Sequence, residues 1–188
     1  MRLREGYTVY LESIGPEHAE KIFEWYYDIN YQNFFREFEA PLTIENCKDF
    51  GQMMLRSGVE AFMIMDKETG EAMGIMTMCI LKKKPGVCRA GLMLDKKFQH
   101  KTHTIESLII IGDYIFNKRG FNKGVVEFLD SDKHIQRITE FGGFIREGLL
   151  KDEAIVNDKY VDEVRYAIFK STYEKLYGSY FDELEQNS

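Results

Sequence analysis

With 188 residues, of which 44% are hydrophobic and 30% charged, the chain has enough apolar material for the core of one ordinary soluble domain. Its net charge of -6 argues against nucleic acid and anionic membranes as partners, so an anionic ligand needs a local basic patch. The three cysteines form no CxxC pair, and neither a secretory leader nor an apolar run of membrane-spanning length is visible. We therefore expect a cytoplasmic protein with reduced thiols.

The N-terminal third reads as one strand followed by two helices. The alternating, aromatic stretch Tyr7–Ser13 predicts a strand, and Pro16 suits the first turn of the helix that follows. After an aromatic, irregular connection, Thr43 is a good N-cap for a second helix that ends at Gly58.

Three strands are predicted next. Two apolar stretches flank residues 66–70 and form a hairpin, in which Gly70 occupies a position of positive φ. The basic turn 82–86 leads into a third strand over 87–95. A polar loop then precedes a helix from Ile105 to Gly120.

The remainder alternates between strands and helices: a strand over 121–130, a helix over 131–143, a hairpin over 144–169 and a terminal helix. The predicted order is β-α-α-β-β-β-α-β-α-β-β-α, which indicates an α/β fold, a mixed sheet with helices on both faces. No linker interrupts it. We expect a single domain over 1–188, with an acidic, frayed tail from about residue 183.

Five segments match a known family in order and spacing. They are the hairpin "FMIMDKETGEAMGIMTM", the strand and loop "AGLMLDKKFQ", Glu106 near the start of the next helix, "DYIFNKRGFNKGVVEF", and "FGGFIREGLLKDEAIVNDKYVDEVRYAI". Together they resemble the GNAT acetyltransferase superfamily over nearly the whole chain. The resemblance is greatest to the branch that acetylates ribosomal-protein N-termini and small amines.

The resemblance implies an acetyl-CoA site at the end of the central strand, between two splayed parallel strands. The pantetheine arm is expected to pair with the backbone of Leu92, Met93, Leu94 and Asp95. The pyrophosphate is expected on backbone N–H groups of the loop Gln99, His100, Lys101, Thr102, His103 and Thr104. An amine would then attack the thioester directly, with a base and an acid moving protons.

The loop departs from the family pattern at the two positions where small residues are usual, which here are Thr102 and Thr104. A Cβ is unfavourable where backbone must approach a phosphate, and a left-handed conformation costs roughly 1–2 kcal/mol per non-glycine residue. Threonine hydroxyls can instead donate to phosphate, and Lys96, Lys97 and Lys101 make the segment basic. Retention and loss of acetyl-CoA binding therefore both stay open.

The positions of the acid and the base also depart from that branch. Arg89 stands where a glutamate is frequent, Asp132 replaces an asparagine, and Thr139 replaces a tyrosine acid. No catalytic set can be assigned from the sequence. His100, His103 and Glu106 fall three apart, but a fourth ligand is missing nearby, and we expect no metal site.

Aromatic residues dominate the segment that walls the acceptor cleft in the family: Trp25, Tyr26, Tyr27, Tyr31, Phe34, Phe35 and Phe38. They suit ordinary core packing, an acceptor pocket or a docking patch for a protein.

Two functions remain. The preferred one is a family member that has lost its cofactor and serves as a binding or assembly module with a protein partner. The alternative is an active acetyl-CoA-dependent N-acetyltransferase of a protein N-terminus or small amine.

Overall fold

The chain folds around β-strands. The computed structural model describes residues 2–36, 41–99 and 102–186, without the side chains of residues 102 and 185. In these residues the strands are β1 (Arg2–Glu5), β2 (Val9–Ser13), β3 (Val59–Asp66), β4 (Ala72–Lys82), β5 (Val87–Leu94), β6 (Lys123–Leu129), β7 (Ile145–Val156) and β8 (Lys159–Phe169). They form a mixed sheet in the order β1-β2-β3-β4-β5-β6-β8-β7, which confirms the α/β fold class.

Helices lie between the strands and after the last one. They are α1 (Ala19–Tyr27), α2 (Gln32–Phe35), α3 (Ile44–Lys48), α4 (Phe50–Arg56), α5 (Thr102–Asp113), α6 (Lys133–Phe141), α7 (Lys170–Tyr177) and α8 (Ser179–Gln186). A 3₁₀ turn over Pro16–His18 leads into α1, and a π-helical turn over Tyr114–Lys118 extends α5.

The backbone groups into two compact units, each built from separate stretches of the chain. The first unit contains residues 1–79 and 91–111, and the second contains residues 80–90 and 112–188. In the first, β1 to β4 are joined by antiparallel pairing. In the second, the start of β5 is parallel to β6, with Val87 opposite Lys123, and β8 lies between β6 and β7.

Local sequence signals explain the element ends. The Thr43 hydroxyl accepts the Asn46 N–H at 3.2 Å, and the Asn46 side chain accepts the Thr43 N–H at 3.1 Å, so the predicted N-cap is confirmed as a reciprocal capping box. Gly70 has a φ of 69°, as predicted for the turn of the β3–β4 hairpin.

Some boundaries differ from the predictions. Strand β1 precedes the first predicted element, and the short helix α2 lies in the connection that was predicted to be irregular. The helix predicted after Thr43 is interrupted at Asp49, where the backbone leaves helical geometry. Helix α8 continues to Gln186, so the acidic tail is helical beyond residue 183.

The aromatic segment belongs mainly to the core of the first unit. Trp25, Tyr31 and Phe35 are buried and pack with Phe50, whereas Tyr27 is 56% exposed. Phe38 lies outside the described residues. Core packing therefore accounts for most of this segment, as the simplest of the three interpretations held.

Candidate active site

The strand end, loop and helix start predicted to hold the cofactor all lie in the first unit. Strand β5 ends at Leu94, a turn follows in which the Phe98 N–H donates to the Asp95 carbonyl at 2.8 Å, and α5 begins at Thr102. His100 and Lys101 lie outside the described residues. The chain thus brings a strand end and a helix N-terminus together within one short connection.

The backbone groups at the end of β5 point in different directions. The Asp95 N–H donates to the Met73 carbonyl of β4 at 2.8 Å. The Met93 carbonyl also faces β4, because a Cβ added at Gly74 would lie 2.1 Å from its oxygen. Neighbouring residues of a strand present their polar groups to opposite edges, so Leu92 and Leu94 carry the groups that face away from β4.

One of these outward-facing groups, the Leu94 carbonyl, is already hydrogen-bonded to Gln99. The Gln99 side-chain amide donates to it at 2.7 Å. Of the backbone contacts expected for a pantetheine arm, those of Leu92 are therefore the best placed, and Leu94 offers its carbonyl only if Gln99 moves.

The left-handed backbone that was considered for Thr102 and Thr104 is not present. Thr102 and Thr104 are in the first turn of α5, with helical backbone, and the described non-glycine residues with positive φ are Asp152, Asn157 and Asp158. A β-branched residue loses little in a helix compared with the left-handed region. The left-handed penalty that favoured a lost cofactor site therefore does not arise.

Thr104 uses its hydroxyl within the protein. It donates to the carbonyls of Phe98 at 3.2 Å and Gln99 at 3.1 Å, which closes the loop against the helix start. The side chain thus shapes the loop rather than offering its proton to a phosphate.

The first turn of α5 contains no acidic residue. Glu106, in the next turn, is 6% exposed and accepts the N–H of Thr8 at 2.9 Å, together with the Tyr7 N–H and the Thr8 hydroxyl. Its charge is therefore already met by the β1–β2 turn. The first N–H groups of any helix have no partner within that helix, and its positive dipole end favours an anion.

Comparison with known families identifies this arrangement. A family model described as an acetyltransferase (GNAT) domain matches residues 8–145. The chain belongs to the GNAT acetyltransferase family. The match is to the family as a whole and does not distinguish the ribosomal-protein branch that the motifs suggested. A search of curated protein sequences finds no match.

Solved GNAT structures share the fold. A spermidine N-acetyltransferase from Vibrio cholerae, solved in complex with CoA and spermine, is 16% identical, with a TM-score of 0.77 over 88% of this chain and 98% of that one. A GCN5-related N-acetyltransferase from Brucella melitensis is 20% identical, with a TM-score of 0.74 over 95% of this chain and 83% of that one.

The described segment suits the cofactor of this GNAT fold. The helical backbone at Thr102 and Thr104 and the acid-free first turn of α5 meet the needs of a diphosphate. The backbone N–H and carbonyl of Leu92, which face away from β4, can hydrogen-bond to an amide-containing arm. In this family the bound cofactor supplies an activated acetyl thioester.

A polar network that the sequence did not reveal holds the end of β5. The Asp95 carboxylate accepts from the indole of Trp25 at 3.0 Å, the hydroxyl of Tyr31 at 3.3 Å and the N–H of Lys97 at 3.1 Å, and it pairs with Lys21 at 3.1 Å. Burial acts to raise the pKa of Asp95, but these donors outweigh it and hold the pKa below its ordinary value. Asp95 is therefore a structural anion that fixes α1 and α2 on the β5 end.

In the second unit, Arg89 is an ion-pair partner. Its guanidinium lies 3.3 Å from the Glu127 carboxylate, and Arg165 donates to the same carboxylate at 2.6 Å. The Glu127 side chain is only 7% exposed. An arginine cannot serve as a base at physiological pH, so the position that often carries a glutamate in the branch supports the sheet here instead.

Asp132 and Thr139, the two other divergent positions, flank or belong to α6. Asp132 precedes the helix as its N-cap residue, and burial raises the pKa of its carboxyl group. The Thr139 carbonyl accepts the Phe144 N–H at 3.2 Å, within the turn that ends α6. Neither position carries an evident proton-transfer partner from which a catalytic set could be built.

Among the described residues, no three His, Cys, Asp or Glu side chains converge as metal ligands would. No helix in the described part of the chain is both long and apolar enough to cross a membrane.

Proposed function

We propose that the protein is an acetyl-CoA-dependent N-acetyltransferase that acts on a small amine. The observation that carries this proposal is the helical backbone of Thr102 and Thr104 at the start of α5. It removes the steric ground for preferring a cofactor-free assembly module, although no acid/base set is assigned, because the start of a helix favours an anion.

In this mechanism the chain mainly binds and orients. The N–H groups of the α5 first turn would hold the diphosphate, and Leu92 would hold the pantetheine arm along β5. Asp95 and its donors keep the β5 end fixed, so the strand that would hold the pantetheine arm is rigid. The net charge of -6 draws cationic amines toward the protein surface.

A small amine is a better acceptor candidate than a protein N-terminus. The Vibrio cholerae enzyme that shares the fold was solved with spermine, a small polycation. That likeness supports the substrate class without specifying the amine, since the two chains share 16% identity.

Mass spectrometry of the products tests the proposal. Purified protein is incubated with acetyl-CoA and, in separate reactions, with spermidine, spermine, a monoamine and a short peptide with a free N-terminus. We expect acetylation of at least one small amine that depends on protein concentration and is absent without protein. Folded protein that acetylates none of these acceptors would contradict the proposal, and acetylation of the peptide alone would replace the small amine by a protein N-terminus.

A further inference from the structure

A histidine in the first turn of α5 is tied to the β3–β4 hairpin. The Nε2 atom of His103 lies 3.2 Å from Oδ2 of Asp66. The two residues are far apart in sequence, and both belong to the first unit. The contact therefore fixes the start of α5 to a separate element of the fold.

Asp66 is a rigid anchor for this contact. It is 5% exposed, and its other oxygen, Oδ1, accepts the N–H groups of Glu68 at 2.9 Å and Thr69 at 2.7 Å and the Thr69 hydroxyl at 3.0 Å. Burial acts to raise the pKa of Asp66, but the hydrogen bonds from Thr69 and Glu68 outweigh it, so the pKa lies below the ordinary value. The carboxylate is ionised and immobile at neutral pH.

The His103 ring is held on further sides. It packs edge-on against Phe98, with ring centroids 5.9 Å apart, and its backbone carbonyl accepts the Ser107 hydroxyl at 2.7 Å. The remaining ring nitrogen, Nδ1, is buried and has no hydrogen-bond partner among the described residues.

We propose that His103 is a positioning residue for acetyl-CoA: its contact with Asp66 fixes the first turn of α5 in the orientation that binds the diphosphate. The inference rests on the proposed function, because it concerns the same cofactor site. His103 stands next to Thr104, whose hydroxyl closes the loop from the other side. Both side chains restrain this turn. Its N–H groups are therefore already oriented and need not rearrange when an anion binds.

Two substitutions separate the polar contact with Asp66 from the ring contact with Phe98. His103→Phe keeps an aromatic ring against Phe98 and removes the donor to Asp66. His103→Gln retains an N–H donor at about the same reach. His18→Phe is the matched control, because His18 is also buried and also contacts a carboxylate, that of Glu12 at 3.2 Å, but lies before α1.

Calorimetric titration with CoA, which needs no catalysis, provides the main readout. We expect His103→Phe to raise the Kd for CoA about tenfold, and we expect His103→Gln and His18→Phe to stay within about threefold of wild type. In the acetylation assay, His103→Phe should raise KM for acetyl-CoA by a similar factor and leave kcat nearly unchanged. Circular dichroism at the titration temperature verifies that every variant is folded.

The outcomes distinguish this inference from the proposed function. If wild type binds CoA and His103→Phe binds it equally well, the positioning role is wrong while the proposed function stands. The same holds if His18→Phe weakens binding as much as His103→Phe, because the effect would then be general destabilisation. If folded wild type binds no CoA, both the proposed function and this inference fail.

Discussion

The indole N–H of Trp25 donates to the Asp95 carboxylate at 3.0 Å, although the two residues stand 70 positions apart in the chain. The Lys96 N–H in turn donates to the Tyr31 hydroxyl at 3.0 Å, and that hydroxyl contacts Asp95. One carboxylate therefore joins α1, the start of α2 and the turn after β5. The predicted cofactor-binding segment is therefore anchored at Asp95.

Replacing Asp95 should destabilise the protein in a pH-dependent way. Asp95→Asn removes a charge that receives several donors, and we expect a loss of about 1–3 kcal/mol in the free energy of unfolding at pH 7. The folded pKa of Asp95 lies below its unfolded value of about 3.9, so its stabilising effect is complete above that pH and is lost as pH falls through the lower folded pKa. Urea denaturation of both proteins at pH 7 and at acidic pH should show the difference shrinking, and a constant difference would contradict the assignment.

Gly74 should not tolerate a side chain. A Cβ there would lie 2.1 Å from the Met93 carbonyl oxygen, which is backbone and cannot rotate away. We expect Gly74→Ala to cost about 1–3 kcal/mol of stability and to displace the end of β5, weakening CoA binding as well. Gly148→Ala in β7 is the control, because nothing lies within 4 Å of the added Cβ, and alanine there should be neutral or stabilising. Equal thermal midpoints for the two variants would refute the close approach.

A negative charge at position 105 should stabilise the helix and weaken anion binding, and a positive charge should do the opposite. Ile105 lies in the first turn of α5 and is 53% exposed. Ile105→Glu complements the helix dipole and should leave thermal stability equal or slightly higher, yet raise the Kd for CoA about two- to fivefold. Ile105→Lys should lower the Kd at slightly reduced stability. Both effects on Kd should diminish in high salt, and an unchanged Kd in both variants would place the anion elsewhere.

Placing at position 89 the glutamate that is frequent in the ribosomal-protein branch should lower stability without increasing activity. Arg89→Glu would place a second carboxylate beside buried Glu127, which Arg89 now pairs at 3.3 Å. We expect a loss of about 1–3 kcal/mol and no gain in acetylation, because like charges in a desolvated position repel. Arg89→Met, which removes the charge without adding another, should be less harmful because Arg165 still pairs with Glu127. Chemical denaturation of the two variants measures the difference, and a more active, equally stable Arg89→Glu variant would contradict this account.

The sequence predicted the long elements well because their signals are local. The apolar runs of β3 and β4 and the glycine at position 70 specify a hairpin without help from the rest of the chain. The start of α5 was misplaced, because Thr102 and Thr104 are weak helix formers and the favourable interactions at that turn come from elsewhere. Thr104 bonds to Phe98 and Gln99, and His103 bonds to Asp66.

Contacts between distant residues account for the rest of what the sequence did not show. Asp95 was expected to contribute only its backbone, because nothing near it in sequence predicts a bond to Trp25. Arg89 was noted only as a missing base, because its pairing with Glu127 joins neighbouring strands that the chain visits far apart. Strand β1 is short and polar, which leaves too little alternation for a prediction.

Titration of the wild-type protein with CoA tests the central claim most directly, because the whole account depends on a diphosphate site at the start of α5. We predict saturable binding at one site per chain with a Kd below about 1 mM, in the range usual for enzyme substrates. An isotherm from folded protein that shows no saturable binding up to several times that concentration would contradict it.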